Sequence, residues 1–269
     1  MMLPRPGVGL AACALGLLSA GMAEPPAQPP AHGSKHLFLL VGQSNMAGRG
    51  DVTPGDRKPH ARVLMLDAED VWVPAVDPMH ADKPDVVGVG LGRTFGLTVA
   101  EAMPGAIIGL IPAAVGGSPI DVWQPGAFYE PTRSHPWDDA IRRARLAMSS
   151  GTLSGILWHQ GESDATPDLA PAYEAKLRDL IRRFRTELQA PEVPVIVGQL
   201  GTFSDRPWDA SRARVDQAHR AVAGSVALVA YVSAEGLAHK GDGVHFDTDS
   251  YRELGRRYAA AWLALSAGR

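Results

Sequence analysis

The sequence predicts an α/β fold: a central, mainly parallel, five-stranded sheet with helices on both faces. Three observations lead there. Short apolar runs that stop at Gly or polar residues alternate with longer amphipathic stretches five times along the chain. No repeat of fixed period and no long internal linker divides it. Its 269 residues, 45% of them hydrophobic, suit one large domain with a sizeable core.

The first residues read as an export signal, 1–23. Arg5 supplies the positive start, Gly7–Ser19 is apolar and uncharged, and Gly21-Met22-Ala23 offers the small residues a signal peptidase needs. A membrane anchor is the competing reading. The apolar run is short for a span, and Pro25, Pro26, Pro29 and Pro30 follow it. Leu10-Ala11-Ala12-Cys13 also has a faint likeness to a lipoprotein box, with few apolar residues before Cys13. Cleavage after Ala23 implies a secreted or periplasmic protein with no stable membrane insertion. It removes Cys13, the only cysteine, and with it any disulfide, cysteine nucleophile or thiolate ligand. It also removes Arg5, leaving 25 basic residues against 29 acidic ones, a net −4. That balance, without any block of Lys and Arg, argues against a nucleic-acid partner.

Residues 24–35 are rich in Pro and Ala and read as a flexible lead into a domain over 36–269. His36–Val41 is the first strand, a continuous apolar run of the kind buried on both faces. Arg62–Leu66 and Val71–Pro74 read as a short strand pair, and Asp77–Pro84 as loop. Leu91–Met103 has helical spacing and ends at Pro104-Gly105. Ala106–Ile111 is the second buried strand. Pro136–Met148 carries Trp137, Ile141, Ala144 and Met148 on one face and arginines on the other, the pattern of an amphipathic helix. Gly155–Trp158 is the third strand, Leu169–Leu188 a helix, Val193–Gly198 the fourth strand and Trp208–Val222 a helix. Val226–Val232 is the fifth strand and Ser250–Leu265 the closing helix.

Five polar stretches each follow a strand: Gly42–Arg49, Pro112–Trp123, His159–Asp164, Gly201–Asp205 and Glu235–Asp247. In an open parallel sheet they share one edge, where sites form. Ser44, in Gly42-Gln43-Ser44-Asn45-Met46, stands where a nucleophile could work, or where a helix cap would. Asp242-Gly243-Val244-His245 sets a carboxylate three residues before an imidazole. Asp242 can take the Nδ1 proton of His245 and leave Nε2 as a general base for a serine. The competing reading is a capping Asp beside an exposed His. Acyl transfer also needs oxyanion donors. The candidates are the backbone N–H groups of Ser44 and Gly117 and the side-chain amide of Gln160; their alternatives are a tight turn and a solvated loop residue.

GQSNM at 42–46, GGSPI at 116–120, WHQGESD at 158–164 and DGVHF at 242–246, in this order, resemble the SGNH hydrolase superfamily. Within it they are similar to the sialate O-acetylesterase and acetylxylan esterase branch, carbohydrate esterase family six, over roughly residues 36–262. The resemblance implies a three-layer αβα fold and removal of O-acetyl groups from carbohydrates, with no metal and no cofactor. It implies Ser44 as nucleophile, His245 as base, Asp242 as its acid, and Ser44, Gly117 and Gln160 as the oxyanion hole. Gln160 stands where more distant relatives have Asn. The expected partner is an O-acetylated sugar or polysaccharide; oligomeric state is not legible.

Supporting roles are assigned more loosely. Glu162 either assists His245 or holds its loop by hydrogen-bonding backbone amides, and Asn45 can tie the serine loop to a neighbour. Trp123, with Asp121, Arg93 and Trp208, is a candidate lining of the substrate cleft. Four rival readings compete. Gly88–Gly92 lacks the spacing of a nucleotide loop, and the nine histidines show no metal-ligand spacing. An SGNH lipase or thioesterase would need an apolar groove, and a non-catalytic carbohydrate-binding protein would tolerate loss of the triad.

Overall fold

A computed structural model describes residues 1–3 and 35–267. The predicted signal peptide and flexible segment lie, apart from residues 1–3 and Lys35, outside the described residues. The chain divides into two units, Met1–Ala31 and His32–Arg269, and the strands and helices of the described residues belong to the second.

Strand β1 (Lys35–Gly42) begins the fold, followed by a single helical turn, α1 (Ser44–Ala47). Next come β2 (Val63–Leu66), β3 (Trp72–Pro74), α2 (Leu91–Ala102), β4 (Ile107–Pro112) and α3 (Pro136–Met148). Then come β5 (Gly151–His159), α4 (Tyr173–Glu187), β6 (Val195–Gly198), α5 (Ala210–Ser225), β7 (Val229–Val232) and α6 (Thr248–Ala267). The sheet has seven strands in the order β3-β2-β4-β1-β5-β6-β7, not five. The two added strands are β2 and β3, foreseen as a strand pair but not as part of the main sheet. Only β3 runs antiparallel, and β2 joins β4 in parallel through Val63–Met65.

The sheet is buried on both faces because its central strands carry unbroken apolar runs, Leu37–Val41 in β1 and Ile156–Trp158 in β5. In β1, Leu37, Leu39 and Val41 point into one core with α3, α4 and α5, while Phe38 and Leu40 point into the other with α2 and α6. The result is three layers, helices–sheet–helices. On the first face Trp137, Leu177 and Val215 meet the sheet; on the second Phe95, Tyr258 and Trp262 do. Phe38 is clasped edge-on by Phe95 and Trp262, with ring centroids 4.8 and 4.9 Å away.

This order puts the switch point beside β1. The chain builds β2, β3 and β4 on one side of β1, then crosses to β5, β6 and β7 on the other. A crevice opens at the carboxyl ends of the strands where the winding reverses. The register brings three strand ends together there: Leu40 lies opposite Pro112, and Gly42 opposite His159. Gly42 makes that junction feasible. Its φ is +130°, and a Cβ would stand 2.1 Å from the His159 carbonyl oxygen.

Candidate active site

The turn after β1 sets Ser44. The Gln43 N–H donates to the His159 carbonyl (2.9 Å), and Gln43 Oε1 accepts from the N–H groups of Gly161 and Ser163 (both 3.3 Å). The serine turn is thereby stitched to the loop that follows β5. Ser44 is the first residue of α1, and its side chain caps nothing. Its Oγ instead lies 2.9 Å from His245 Nε2, which decides against the capping role.

His245 comes from the loop between β7 and α6. Its Nδ1 lies 2.7 Å from Asp242 Oδ2, while Asp242 Oδ1 accepts the Val244 and His245 N–H groups at 2.9 and 2.8 Å. A carboxylate facing Nδ1 fixes the proton there, so Nε2 carries the lone pair that faces the serine hydroxyl. Partial burial pushes the Asp242 carboxyl up, but the two amides and the imidazole outweigh it and hold the carboxyl at about 2. Asp242 is therefore an anion at every working pH.

Asn45, next to the nucleophile, is fully buried and ties three segments together. Its Nδ2 donates to Glu162 Oε1 (2.6 Å) and to the Val244 carbonyl (3.0 Å), and its Oδ1 accepts from Tyr251 Oη (2.7 Å). Glu162 thus holds Asn45, and makes no hydrogen bond to His245. Burial raises the Glu162 carboxyl; the Asn45 amide and the nearby imidazole only partly oppose this. Its Oε2 is sealed from solvent and has no hydrogen-bond partner among the described residues.

The oxyanion donors divide. The N–H groups of Ser44 and Gly117 have no acceptor among the described residues, so both are available to an oxyanion. Gln160 differs from the expectation. It is fully buried, and its amide nitrogen donates to the Ser118 carbonyl (3.1 Å) and to Asp164 Oδ2 (2.5 Å). Its Oε1 accepts from Tyr173 Oη (2.8 Å). With both amide hydrogens committed, Gln160 braces the loop after β5 and has none left for an oxyanion.

Trp123 is also corrected. It is fully buried, donates its indole N–H to Ser118 Oγ (3.0 Å) and stacks edge-on against Trp158 at 5.3 Å. It belongs to the core and cannot meet a sugar. Asp121 forms an ion pair with Lys176 (2.7 Å), and Arg93 donates to the carbonyls of Ala75 and Lys58. Trp208, half-buried, does line a groove of about 760 Å³ with Phe203, Asp205, Glu235 and His239.

Two residues matter that the sequence did not single out. Arg49 and Asp82 form a buried ion pair (2.8 Å), and Asp82 Oδ2 also accepts the Gly116 N–H (2.8 Å). Arg49 donates to the Gly48 carbonyl as well (2.7 Å). The pair thus joins the serine loop to the turn that presents Gly117. Arg49 closes the Gly42–Arg49 stretch and could have been found there; Asp82 sits in a loop with no local signal.

Known proteins resemble this chain in sequence and in fold. Residues 34–264 match the family model of the carbohydrate esterases described as sialic acid-specific acetylesterase. The chain belongs to this family. A probable carbohydrate esterase of Arabidopsis thaliana is 31% identical over 271 residues, spanning 93% of this chain and 98% of the relative. An Arabidopsis thaliana crystal structure superposes with a TM-score of 0.76 at 30% identity, covering 86% of this chain and 98% of that one. NanS aligns with a TM-score of 0.72 at 18% identity, covering 88% and 99% of the two chains. A carbohydrate acetylesterase from Xanthomonas citri aligns at 0.68 and 19% identity, over 87% of this chain and 57% of the other. The last two speak for the fold alone. Family membership makes the chain a carbohydrate acetylesterase acting on acetylated carbohydrate, and its αβα fold is that of its neighbours.

Proposed function

We propose that this chain hydrolyses sugar O-acetyl esters through an acetyl-enzyme formed on Ser44. The observation that carries the reading is the hydrogen-bonded line Asp242–His245–Ser44, with steps of 2.7 and 2.9 Å. His245 Nε2 takes the Ser44 proton as Oγ attacks the acetyl carbonyl. The Ser44 and Gly117 N–H groups receive the oxyanion of the tetrahedral intermediate. Asp242 stabilises the imidazolium, which then protonates the departing sugar oxygen. Water, deprotonated by His245, repeats the attack on the acetyl-enzyme and releases acetate.

The substrate class follows from the family, and the groove beside the His245 loop supports it. The groove offers Trp208 and Phe203 rings together with the Asp205 and Glu235 carboxylates, a polar and aromatic lining suited to sugar rings and hydroxyls. Export to a secreted or periplasmic location is part of the same proposal and rests on residues 1–23. Among the described residues no helix is long and apolar enough to cross a membrane.

The test is acetate release from acetylated xylan, O-acetylated sialic acid and a small aryl acetate by the wild type and by Ser44→Ala. The expected loss in the variant is at least ~10⁴-fold in kcat on every substrate the wild type cleaves. Undiminished turnover by Ser44→Ala would overturn the role given to Ser44. Recovery of a secreted form beginning at Glu24 supports export; a form retaining residues 1–23 contradicts it.

A further inference from the structure

His239 lines the Trp208 groove and takes no part in the reaction steps above, yet it stands inside the loop that carries Asp242 and His245. That loop is a closed hairpin. The Lys240 N–H donates to the His245 carbonyl (2.9 Å), the Asp247 N–H to the Ala238 carbonyl (3.0 Å), and His239 bridges Phe246 across it. Its tip must bend back sharply. Gly243 has φ +71°, a conformation that favours glycine, and a Cβ there would stand 2.8 Å from Arg206 Nε.

The tip is gathered around the His239 ring. Nδ1 accepts the N–H groups of Gly241 (2.9 Å) and Gly243 (3.0 Å). Two donors converging on one ring nitrogen require that it carry no proton, so the proton sits on Nε2. Nε2 then donates to Asp205, 2.9 Å from Oδ2 and 3.2 Å from Oδ1. The ring also packs against Phe203, centroids 4.9 Å apart, and Phe203 against Phe246 at 5.7 Å. Gly241 and Gly243 flank Asp242, whose own Oδ1 gathers the next two amides, Val244 and His245. Four amides of the tip therefore point at two side chains, His239 and Asp242.

We propose that His239 is a positioning residue: its Nδ1 lone pair gathers the Gly241 and Gly243 amides and so sets where Asp242 and His245 stand against Ser44. The inference rests on the triad reading above. Asp205 orients the ring from outside by taking its Nε2 proton. An imidazole with the opposite tautomer, or a side chain without an acceptor at the Nδ1 position, releases two amides and lets the tip relax. An ångström of displacement between base and nucleophile costs on the order of 10²-fold in turnover.

Two near-isosteric variants separate positioning from packing. His239→Asn keeps an oxygen acceptor where Nδ1 stands and loses the Asp205 contact. His239→Gln keeps a donor toward Asp205 and loses the acceptor. On a small aryl acetate, His239→Gln is expected to lower kcat by ten- to a hundred-fold with KM little changed. His239→Asn is expected to recover most of that loss. Equal losses in the two variants, or none in either while Ser44→Ala is inactive, would overturn the proposal and leave the triad standing. An inactive wild type, or an active Ser44→Ala, would instead refute the triad reading on which it rests. On the unaltered protein, the ¹⁵N shifts of the His239 ring should report the Nε2–H tautomer at neutral pH. The Nδ1–H tautomer would overturn the proposal even if His239→Gln fails to fold.

Discussion

Replacing Asn45 by Ala tests how the nucleophile is held. The substitution removes three close hydrogen bonds: to Glu162 Oε1 at 2.6 Å, to the Val244 carbonyl at 3.0 Å and from Tyr251 Oη at 2.7 Å. A neutral hydrogen bond contributes about 1 kcal/mol net, and one to a charged group about 1.5–3. Tyr251 is fully buried and the Glu162 Oε2 already lacks a partner, so the groups left behind are not rescued by water. The expected cost is therefore about 3–5 kcal/mol of stability. The same change unties Val244, next to His245, from the serine turn, and kcat is expected to fall by about 10²-fold. Glu162→Gln, in contrast, leaves an oxygen for Asn45 and removes a carboxyl that burial already disfavours as an anion. It should cost less than about 1 kcal/mol and little turnover. Urea unfolding gives the stabilities, and aryl acetate hydrolysis gives kcat. If Asn45→Ala unfolds at the wild-type midpoint and turns over normally, the tie is not what holds Ser44.

Further outcomes arise from the same contacts. Asp242→Asn should lower kcat by about 10⁴-fold, because an amide facing Nδ1 favours the wrong tautomer. Since the Asp242 carboxyl is held at about 2, its protonation should leave no limb in the wild-type pH–rate profile near neutrality, and such a limb would contradict this. Trp123→Ala should destabilise by about 3–5 kcal/mol, as for a core Trp, without a selective change in KM for sugar esters. A rise in KM at unchanged stability would return Trp123 to the cleft. Asp77 gives a stability signature. Burial pushes its carboxyl up to about 7, the Arg93 charge opposing only in part. The folded protein thus binds a proton between about pH 4 and 7 that the unfolded chain does not. Relative to wild type, Asp77→Asn should gain about 1.4 kcal/mol of stability per pH unit as pH rises through that window. Parallel pH–stability curves would refute the shift.

The sequence made the catalytic line legible because its parts are local. Asp242 and His245 are three residues apart in one loop, and Ser44 closely follows a strand whose central positions are all apolar. The sheet was legible where strands carry an unbroken apolar run, as in Leu37–Val41 of β1 and Ile107–Ile111 of β4. It was under-counted where membership depends on a distant partner: β2 and β3 read as a separate strand pair, and only the pairing of β2 with β4 makes them part of the sheet. Side chains whose partners lie far along the chain were misread. Gln160 looked like a donor aimed at substrate, but its hydrogens go to Ser118 and Asp164. Trp123 looked like a cleft aromatic until Ser118 and Trp158 enclosed it. Asp82 was invisible because its partners, Arg49 and Gly116, are brought to it only by the fold.

The central claim is that acetyl passes through Ser44. Mixing excess aryl acetate with the wild type, quenching in acid and mapping peptides by mass spectrometry tests it most directly. The expected result is one acetyl group on the peptide containing Ser44, absent from Ser44→Ala. Acetate release without any acetylated serine peptide, continuing in Ser44→Ala, would contradict it.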